Sequence, residues 1–281
     1  MTEGHASIST EAREGNNLLL RIIAALVMAP LAIAIAYVGG WLWTGLVTAA
    51  AIGLYIEWLT IIDARKPRLV LVGVLILLAV GWADVGHING IYLSALVVLG
   101  VFAVGLLPSD RRLWTAVGMG YALAASIGSS AVRLDPLWGI AALMLVLLVV
   151  WATDIGGYFA GRLIGGPKLW PQVSPKKTWA GAIGGFAASF GVAAGFAAFG
   201  LGKILPMLLL GAVLSIASQL GDLFESAVKR RFGVKDSSHI IPGHGGLLDR
   251  LDGFVAAIVL AALFGFLRGG ADGVGRGLMV W

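Results

Sequence analysis

The sequence predicts an all-α polytopic membrane protein with about nine transmembrane helices and a cytoplasmic N-terminus. Apolar residues make up 59% of the 281 residues and charged residues 12%, with a mean hydropathy of +0.92. Soluble domains carry about twice that share of charge, which excludes secreted enzymes, disordered tails and nucleic-acid-binding modules. We therefore expect no nucleic acid partner. The absence of cysteine also excludes disulfides, thiolate metal sites and a cysteine nucleophile.

Polar residues that interrupt the apolar runs set the boundaries of the predicted helices. The N-terminal segment carries three glutamates, and no small-residue cleavage site follows the first apolar run. This predicts a cytoplasmic tail over residues 1–17 and not a signal peptide. The predicted spans are 18–38, 41–62, 69–86, 89–107, 113–132, 136–158, 178–201, 204–222 and 247–267.

The distribution of lysine and arginine predicts the orientation, because these residues mark loops that stay on the cytoplasmic side. With a cytoplasmic N-terminus, all but four of the 20 lysine and arginine residues fall in cytoplasmic segments. The exceptions are Arg133, Lys203, Arg268 and Arg276. We therefore expect a multi-pass protein of the cell (inner) membrane.

Two predicted cytoplasmic loops, 159–177 and 223–246, are longer than the others and rich in glycine, proline, lysine and histidine. Long loops in compact proteins usually carry function. The first five helices hold few ionisable residues, and Glu57 in the second helix is predicted to be structural. The sequence thus divides into a scaffold over residues 18–132 and a catalytic region over residues 133–281.

Carboxylates fall within or at the ends of three predicted helices. Asp154 lies near the end of the sixth helix, Asp222 closes the eighth, and Asp249 and Asp252 begin the last. A carboxylate at a helix centre costs roughly 2.5–3.5 kcal/mol, so several of them require a cation or a water-filled cavity. A hard divalent cation, Mg²⁺, suits oxygen ligands and substrate phosphates. The alternative is that these acids form salt bridges with Arg250, Lys229 and Arg230 at the membrane interface.

Basic residues flank these acids in both loops. Ser174, Lys176, Lys177 and Thr178 precede the seventh helix, whose N-terminal N–H groups favour an anion such as phosphate. Four further positive charges lie within one stretch of seven residues after the predicted eighth helix, at Lys229, Arg230, Arg231 and Lys235. The second group suits a phosphate clamp beside a metal, or an anchor that touches anionic lipid headgroups.

The turn His244-Gly245-Gly246 could hold a ligand, carry a proton or serve only as a turn. Glycine lets the backbone approach a ligand closely. A phosphate or nucleotide contact is favoured over a zinc site at this turn.

Residues 226–252 form one string, SAVKRRFGVKDSSHIIPGHGGLLDRLD. It resembles the signature of the phosphatidate cytidylyltransferase family, also called CDP-diacylglycerol synthases. The blocks DIGGYFAGR at 154–162 and SPKKTW at 174–179 resemble the family as well. The sequence departs from the family pattern at one position, Ala180, where an acidic residue is common.

The resemblance implies a polytopic, dimeric enzyme that converts CTP and phosphatidic acid to CDP-diacylglycerol and pyrophosphate. It also implies a di-metal centre at Asp222 and Asp249, with Mg²⁺ and a second cation. We predict catalytic roles for Asp222, Asp249, Lys229 and Arg230, and further metal ligands at Asp154 and Asp252. The predicted substrate-binding residues are Ser174, Lys176, Lys177, Thr178, Lys235, His244, Gly245, Gly246 and Arg250.

Three other functions are compatible with parts of this pattern. An ion-coupled transporter also has buried acids and glycine-broken helices, but it predicts internal repeats, and no matching motif occurs in the first half. A cytidylyltransferase acting on another lipid phosphate differs only in pocket shape. A CDP-alcohol phosphotransferase is disfavoured, since an uninterrupted apolar run follows Asp252-Gly253 in place of its further aspartates.

Overall fold

The structure is a computed structural model that describes residues 27–86, 90–107, 109–238 and 245–281. It is helical almost throughout, which confirms the predicted fold class. A short antiparallel hairpin, β1 (Lys168–Trp170) with β2 (Ser174–Thr178), separates the sixth and seventh helices. The helices are α1 (Val27–Val38), α2 (Gly40–Ile61), α3 (Pro67–Val85), α4 (Gly90–Leu106), α5 (Arg112–Leu134), α6 (Gly139–Leu163), α7 (Trp179–Ala198), α8 (Ile204–Arg231), α9 (Leu248–Gly269) and α10 (Val274–Met279).

Seven of the described helices are long and apolar enough to cross a membrane, namely α2, α3 and α5 to α9. Each of them coincides with a predicted span. The apolar helices α1 and α4 are shorter in the described part of the chain, so the count of nine spans stays a prediction. The predicted tail over residues 1–17 lies outside the described residues, and the orientation of the N-terminus stays a prediction too.

The predicted loop 223–246 is wrong over its first part, because α8 continues to Arg231. Leu223 and Val228 are buried, and the ring of Phe224 stacks 6.1 Å from that of Trp58. The apolar face of α8 therefore continues beyond Asp222, the end of the predicted span. The negative end of the helix dipole also favours the basic residues in the last turn of α8.

The predicted loop 159–177 is likewise only partly a loop. α6 extends to Leu163, and the hairpin β1–β2 occupies much of the remainder. Its register pairs Lys168 with Thr178 and Trp170 with Ser174. The N–H of Trp179 donates to the carbonyl of Pro167 at 3.1 Å. This bond fixes the base of the hairpin against the start of α7, so that β2 leads directly into that helix.

Two hydrophobic clusters form the core, and each draws on both predicted regions of the chain. In one, Val47 of α2 belongs with Ile258 of α9. In the other, Tyr55 of α2 belongs with Val228 of α8 and Leu248 of α9. In the described structure, the regions predicted on either side of residue 132 therefore share their core.

Helices α6 and α7 approach closely through small residues. A Cβ at Gly156 would lie 2.6 Å from the Cβ of Ala188 and 2.9 Å from the carbonyl oxygen of Gly184. Small residues at such spacing let two membrane helices pack backbone against backbone. This contact holds the C-terminal half of α6, with Asp154, beside the N-terminus of α7.

Thr178 caps α7, since its Oγ1 accepts a hydrogen bond from the N–H of Gly181 at 3.1 Å and the side chain is buried. Replacing Thr178 with alanine is expected to lower the free energy of unfolding by about 1 kcal/mol. Thr178→Ser keeps the capping oxygen and should retain most of that stability. Thermal unfolding of both variants in detergent measures the difference, and equal losses in the two would contradict the capping role.

Candidate active site

A cavity of about 560 Å³ lies between α6, the hairpin strand β2 and the facing parts of α7, α8 and α9. Its walls combine basic and acidic side chains with glycine backbone from α6 and α7. The lining residues are Thr153, Asp154, Gly157, Tyr158, Gly161, Arg162, Leu169, Lys176, Lys177, Thr178, Gly181, Ala182, Gln219, Asp222 and Arg250.

Many of the residues predicted for the site meet in this cavity although they are far apart in the sequence. They are Asp154, Lys176, Lys177, Thr178, Asp222 and Arg250. Four basic residues and two acidic ones line the walls, so the cavity is suited to an anionic ligand that also requires a cation. Residues of the blocks 154–162, 174–179 and 226–252 therefore line one cavity.

Lys177 and Asp222 form the central ion pair of the cavity, between the Nζ and Oδ2 atoms. Asp154 of α6 and Asp222 of α8 thus line the same cavity as this lysine. Because like charges repel one another in a site of low dielectric constant, this arrangement favours a further cation.

A second cluster surrounds Asp249 at the start of α9. Lys229 Nζ lies 2.6 Å from Asp249 Oδ1 and 2.7 Å from Glu225 Oε2. Asp249 Oδ2 accepts bonds from the N–H and Oγ of Ser237, at 3.1 and 2.9 Å, and from the N–H of Gly246 at 3.0 Å. The Lys229 and Glu225 residues are only 9% and 2% exposed. This cluster is therefore more enclosed than the cavity.

Asp222 and Asp249, the predicted metal pair, therefore belong to adjoining clusters with different partners. Asp252 lies between the two clusters, since it is one turn beyond Asp249 and a Cβ at Gly221, the residue before Asp222, would lie 2.6 Å from its carbonyl oxygen. The alternative prediction of interface salt bridges describes one pair correctly, that of Asp249 with Lys229.

Three of the predicted residues lie outside both the cavity lining and the Asp249 cluster. Ser174 belongs to the hairpin pairing, and Lys235 is exposed on the segment after α8. Arg230 donates from Nε to the carbonyl of Val173 at 3.4 Å and from Nη1 to that of Val234 at 3.3 Å. Arg230 therefore braces the hairpin turn against the end of α8 in this structure.

The glycine turn before α9 is described only in part. Gly245 has a φ of 79°, a left-handed conformation that favours glycine. The N–H of Gly246 contributes to the Asp249 cluster. His244 lies outside the described residues, and its predicted contact with substrate stays a prediction.

The structure places further residues at the site that were not among the predicted ones. Arg162 and Tyr158 line the cavity from α6 and bond to each other, with Arg162 Nη1 2.7 Å from Tyr158 Oη. Both lie inside the block 154–162, which resembles the family, and that position was the sequence signal that could have identified them. Glu225 and Glu57 join the Asp249 cluster. The signal for Glu57 was a carboxylate within a predicted apolar span, whereas Glu225 fell in the predicted loop 223–246.

The donor set of the site fits Mg²⁺. Among the described residues, no group of three acidic or histidine side chains lies close enough to hold a metal ion. Mg²⁺ is usually bound by one or two carboxylates, with waters and substrate phosphates in its other positions. The Asp222 side chain is 34% exposed and lines the cavity, so it is accessible from there.

The sequence is similar to those of known proteins over most of its length. The pattern of the cytidylyltransferase family matches residues 19–267. A phosphatidate cytidylyltransferase of Brucella suis biovar 1 is 41% identical over 265 residues, which cover 89% of this chain and 94% of the relative. Proteins of the same name from Staphylococcus haemolyticus and Haemophilus influenzae are 50% identical over 125 residues and 45% identical over 138 residues. Those two matches cover 43% and 47% of this chain and 48% of each relative.

Proposed function

Because the chain belongs to the cytidylyltransferase family, we propose that it transfers the cytidylyl group of CTP to phosphatidic acid. The products are CDP-diacylglycerol, a precursor in phospholipid biosynthesis, and pyrophosphate. The observation that carries the proposal is the cavity in which Lys177 pairs with Asp222 beside further basic residues, at one end of apolar helices. Such a site can receive an anionic nucleotide from water and an anionic lipid from the membrane.

The reaction places two anions in contact. An oxygen of the lipid phosphate attacks the α-phosphorus of CTP, a new P–O–P bond forms, and the bond to the β-phosphate oxygen breaks. The attacking phosphate needs no general base, because the second pKa of a phosphate monoester is about 6. The barrier is therefore lowered by positioning the reactants and by stabilising the charge on the departing pyrophosphate.

We assign the basic residues of the cavity to this charge stabilisation. Lys176 and Lys177 line the cavity from β2, Arg162 from α6, and Arg250 from the first turn of α9. Lys177 would exchange its contact with Asp222 for a contact with phosphate when CTP binds. Lys229 holds Asp249 and Glu225, so its role is to fix the acidic part of the site.

We propose that Asp222 and Asp249 hold Mg²⁺, with Asp154 and Asp252 adding negative charge and room for a second cation. Among the described contacts of Asp249, Oδ1 accepts only from Lys229, whereas Oδ2 has three donors, so Oδ1 is the less occupied oxygen. Bound Mg²⁺ would neutralise the charge that develops between the α- and β-phosphates. The carboxylates would set its position between the two substrates.

The lipid environment completes the proposal. Exposed apolar side chains such as Leu209, Val213 and Leu220 line one side of α8, which suits contact with membrane lipids. We propose that the protein resides in the cell (inner) membrane with this site on the cytoplasmic side. The arginines and lysines at the end of α8 support that side. A homodimer is proposed from the family resemblance.

The test follows labelled CTP in the detergent-purified protein with phosphatidic acid, with and without Mg²⁺. Cytidine label should enter the lipid extract only when lipid and metal are both present. Phosphatidylglycerol is the matched control, because it is an anionic phospholipid that lacks a phosphate monoester. Transfer to an isoprenoid phosphate and not to phosphatidic acid would indicate a different lipid substrate. Folded protein that transfers no label to any lipid phosphate would contradict the proposal and favour transport assays.

A further inference from the structure

Glu57 connects the N-terminal half of the chain to the segment that carries Asp249. It lies in α2, is 0% exposed, and accepts hydrogen bonds from residues about 180 positions away. Oε1 accepts from Ser238 Oγ at 2.6 Å and from the N–H of Leu247 at 2.8 Å. Oε2 accepts from the N–H of Leu248 at 2.7 Å and from Ser237 Oγ at 3.1 Å.

A buried carboxylate without compensation is costly, and the compensation for Glu57 comes from residues 237–238 and from the start of α9. Among the described residues no lysine or arginine forms an ion pair with it. Its partners are two hydroxyl groups and the backbone N–H groups of Leu247 and Leu248, at the start of the helix. Those N–H groups have no partner within α9, and they stand at the positive end of its dipole. Glu57 therefore acts as an N-terminal cap supplied by another helix.

The contact continues from Glu57 to the Asp249 cluster through one side chain. Ser237 Oγ lies 3.1 Å from Glu57 Oε2 and 2.9 Å from Asp249 Oδ2. A hydroxyl has a single hydrogen, so Ser237 can donate to only one of these carboxylates at a time. Asp249 in turn contacts Lys229 at 2.6 Å. Glu57, Ser237, Asp249 and Lys229 thus form one continuous polar chain.

The fit between α2 and this segment leaves little space for another arrangement. A Cβ at Gly246 would overlap Ser237 Oγ and lie 2.7 Å from Glu57 Oε2. One turn before Glu57 on α2, a Cβ at Gly53 would lie 2.7 Å from Leu247 Cδ2. The backbone of residues 246–248 is therefore held against one face of α2.

We propose that Glu57 is a positioning residue for the nucleotidyl transfer, and that it fixes Ser237 and the first turn of α9 so that Asp249 is correctly placed. This inference rests on the proposed function, since the reaction is what the positioning serves. It gives the N-terminal half a part in the site, where the sequence predicted a structural residue.

The test replaces Glu57 with glutamine, which has the same shape but turns an NH₂ group toward donors. kcat should fall about 100-fold, because displacements of about 1 Å at a catalytic group have effects of that size. KM for CTP and for phosphatidic acid should change less than about threefold, since the cavity that binds them is intact. In the absence of substrates, hydrogen exchange at the amides of Leu247 and Leu248 should become faster.

Tyr55→Phe is the matched control. Tyr55 lies on the same helix, and its hydroxyl donates a buried hydrogen bond to the carbonyl of Leu69 at 3.2 Å, away from α9. This variant should lose thermal stability with kcat and with exchange at Leu247 and Leu248 unchanged. Ser238→Ala removes one donor and leaves Glu57 in place, so it tests the proposal if Glu57→Gln does not fold. It should lower kcat at unchanged KM.

The outcomes separate positioning from simple stabilisation. Glu57→Gln or Ser238→Ala protein with normal kcat would overturn the inference, even if its thermal stability were lower. Faster exchange at Leu247 and Leu248 with normal kcat would show a cap without a catalytic role. If the wild-type protein transfers no cytidylyl label, the proposed function fails, while the exchange measurement still tests the cap.

Discussion

Asp222→Asn is expected to reduce transfer of the cytidylyl group by on the order of 10³-fold or more, with the protein still inserted in the membrane. Asparagine has nearly the same shape, so packing around α8 is retained. It carries no negative charge, and it therefore loses both the ion pair with Lys177 and the capacity to hold a divalent cation. Turnover of labelled CTP in membranes, normalised to the amount of folded protein, measures the effect.

Asp63→Asn is the matched control for this substitution. Asp63 is exposed after the end of α2 and has a φ of 52°, a backbone conformation that asparagine also tolerates. The same chemical change outside the site should leave turnover unchanged. Comparing the Mg²⁺ concentration at half-maximal activity in Asp154→Asn, Asp249→Asn and Asp252→Asn then identifies the other ligands. Near-normal turnover in both Asp222→Asn and Asp249→Asn would contradict the metal assignment.

Much of the fold could be predicted from the sequence because a membrane requires long apolar segments. The spans that became α2, α3 and α5 to α9 were predicted by apolar runs of sufficient length. The end of α8 was not, since a charged residue such as Asp222 ends an apolar run without ending a helix. Burial of Val228 and stacking of Phe224 depend on helices elsewhere in the chain, which hydropathy does not describe.

The acidic and basic parts of the site could be predicted because charges are rare in this sequence and cluster near the ends of helices. The pairing of those charges could not. The spacing of residues along the chain does not reveal that Lys177 forms an ion pair with Asp222 while Lys229 forms one with Asp249. Glu57 shows the same limit, because its partners follow it by about 180 residues and become visible only when α2 and α9 are packed together.

The second large effect is expected at Lys229, the cation shared by Glu225 and Asp249 at 2.7 and 2.6 Å. Lys229→Met keeps the length of the side chain and removes its charge, leaving two carboxylates without their cation. Removing one partner of a buried ion pair costs about 3–5 kcal/mol, so the free energy of unfolding should fall by about that amount. Turnover should be lost as well, because the cation that fixes Asp249 is gone. Thermal unfolding in detergent and CTP turnover measure the two effects separately.

The double variant Lys229→Met/Glu225→Gln distinguishes the structural part of this effect from the catalytic part. Glu225 is 2% exposed and its Oε1 has no hydrogen-bond partner within the described chain. Its uncompensated charge therefore accounts for much of the stability that Lys229→Met loses. Neutralising it should recover most of the lost stability, because one uncompensated charge is removed from the enclosed cluster. Turnover should stay absent, since Asp249 still lacks the cation that orients it. If the double variant regained turnover together with stability, Lys229 would be a purely structural counter-ion of Glu225, and the placement of Asp249 would depend on Ser237 and Gly246 alone.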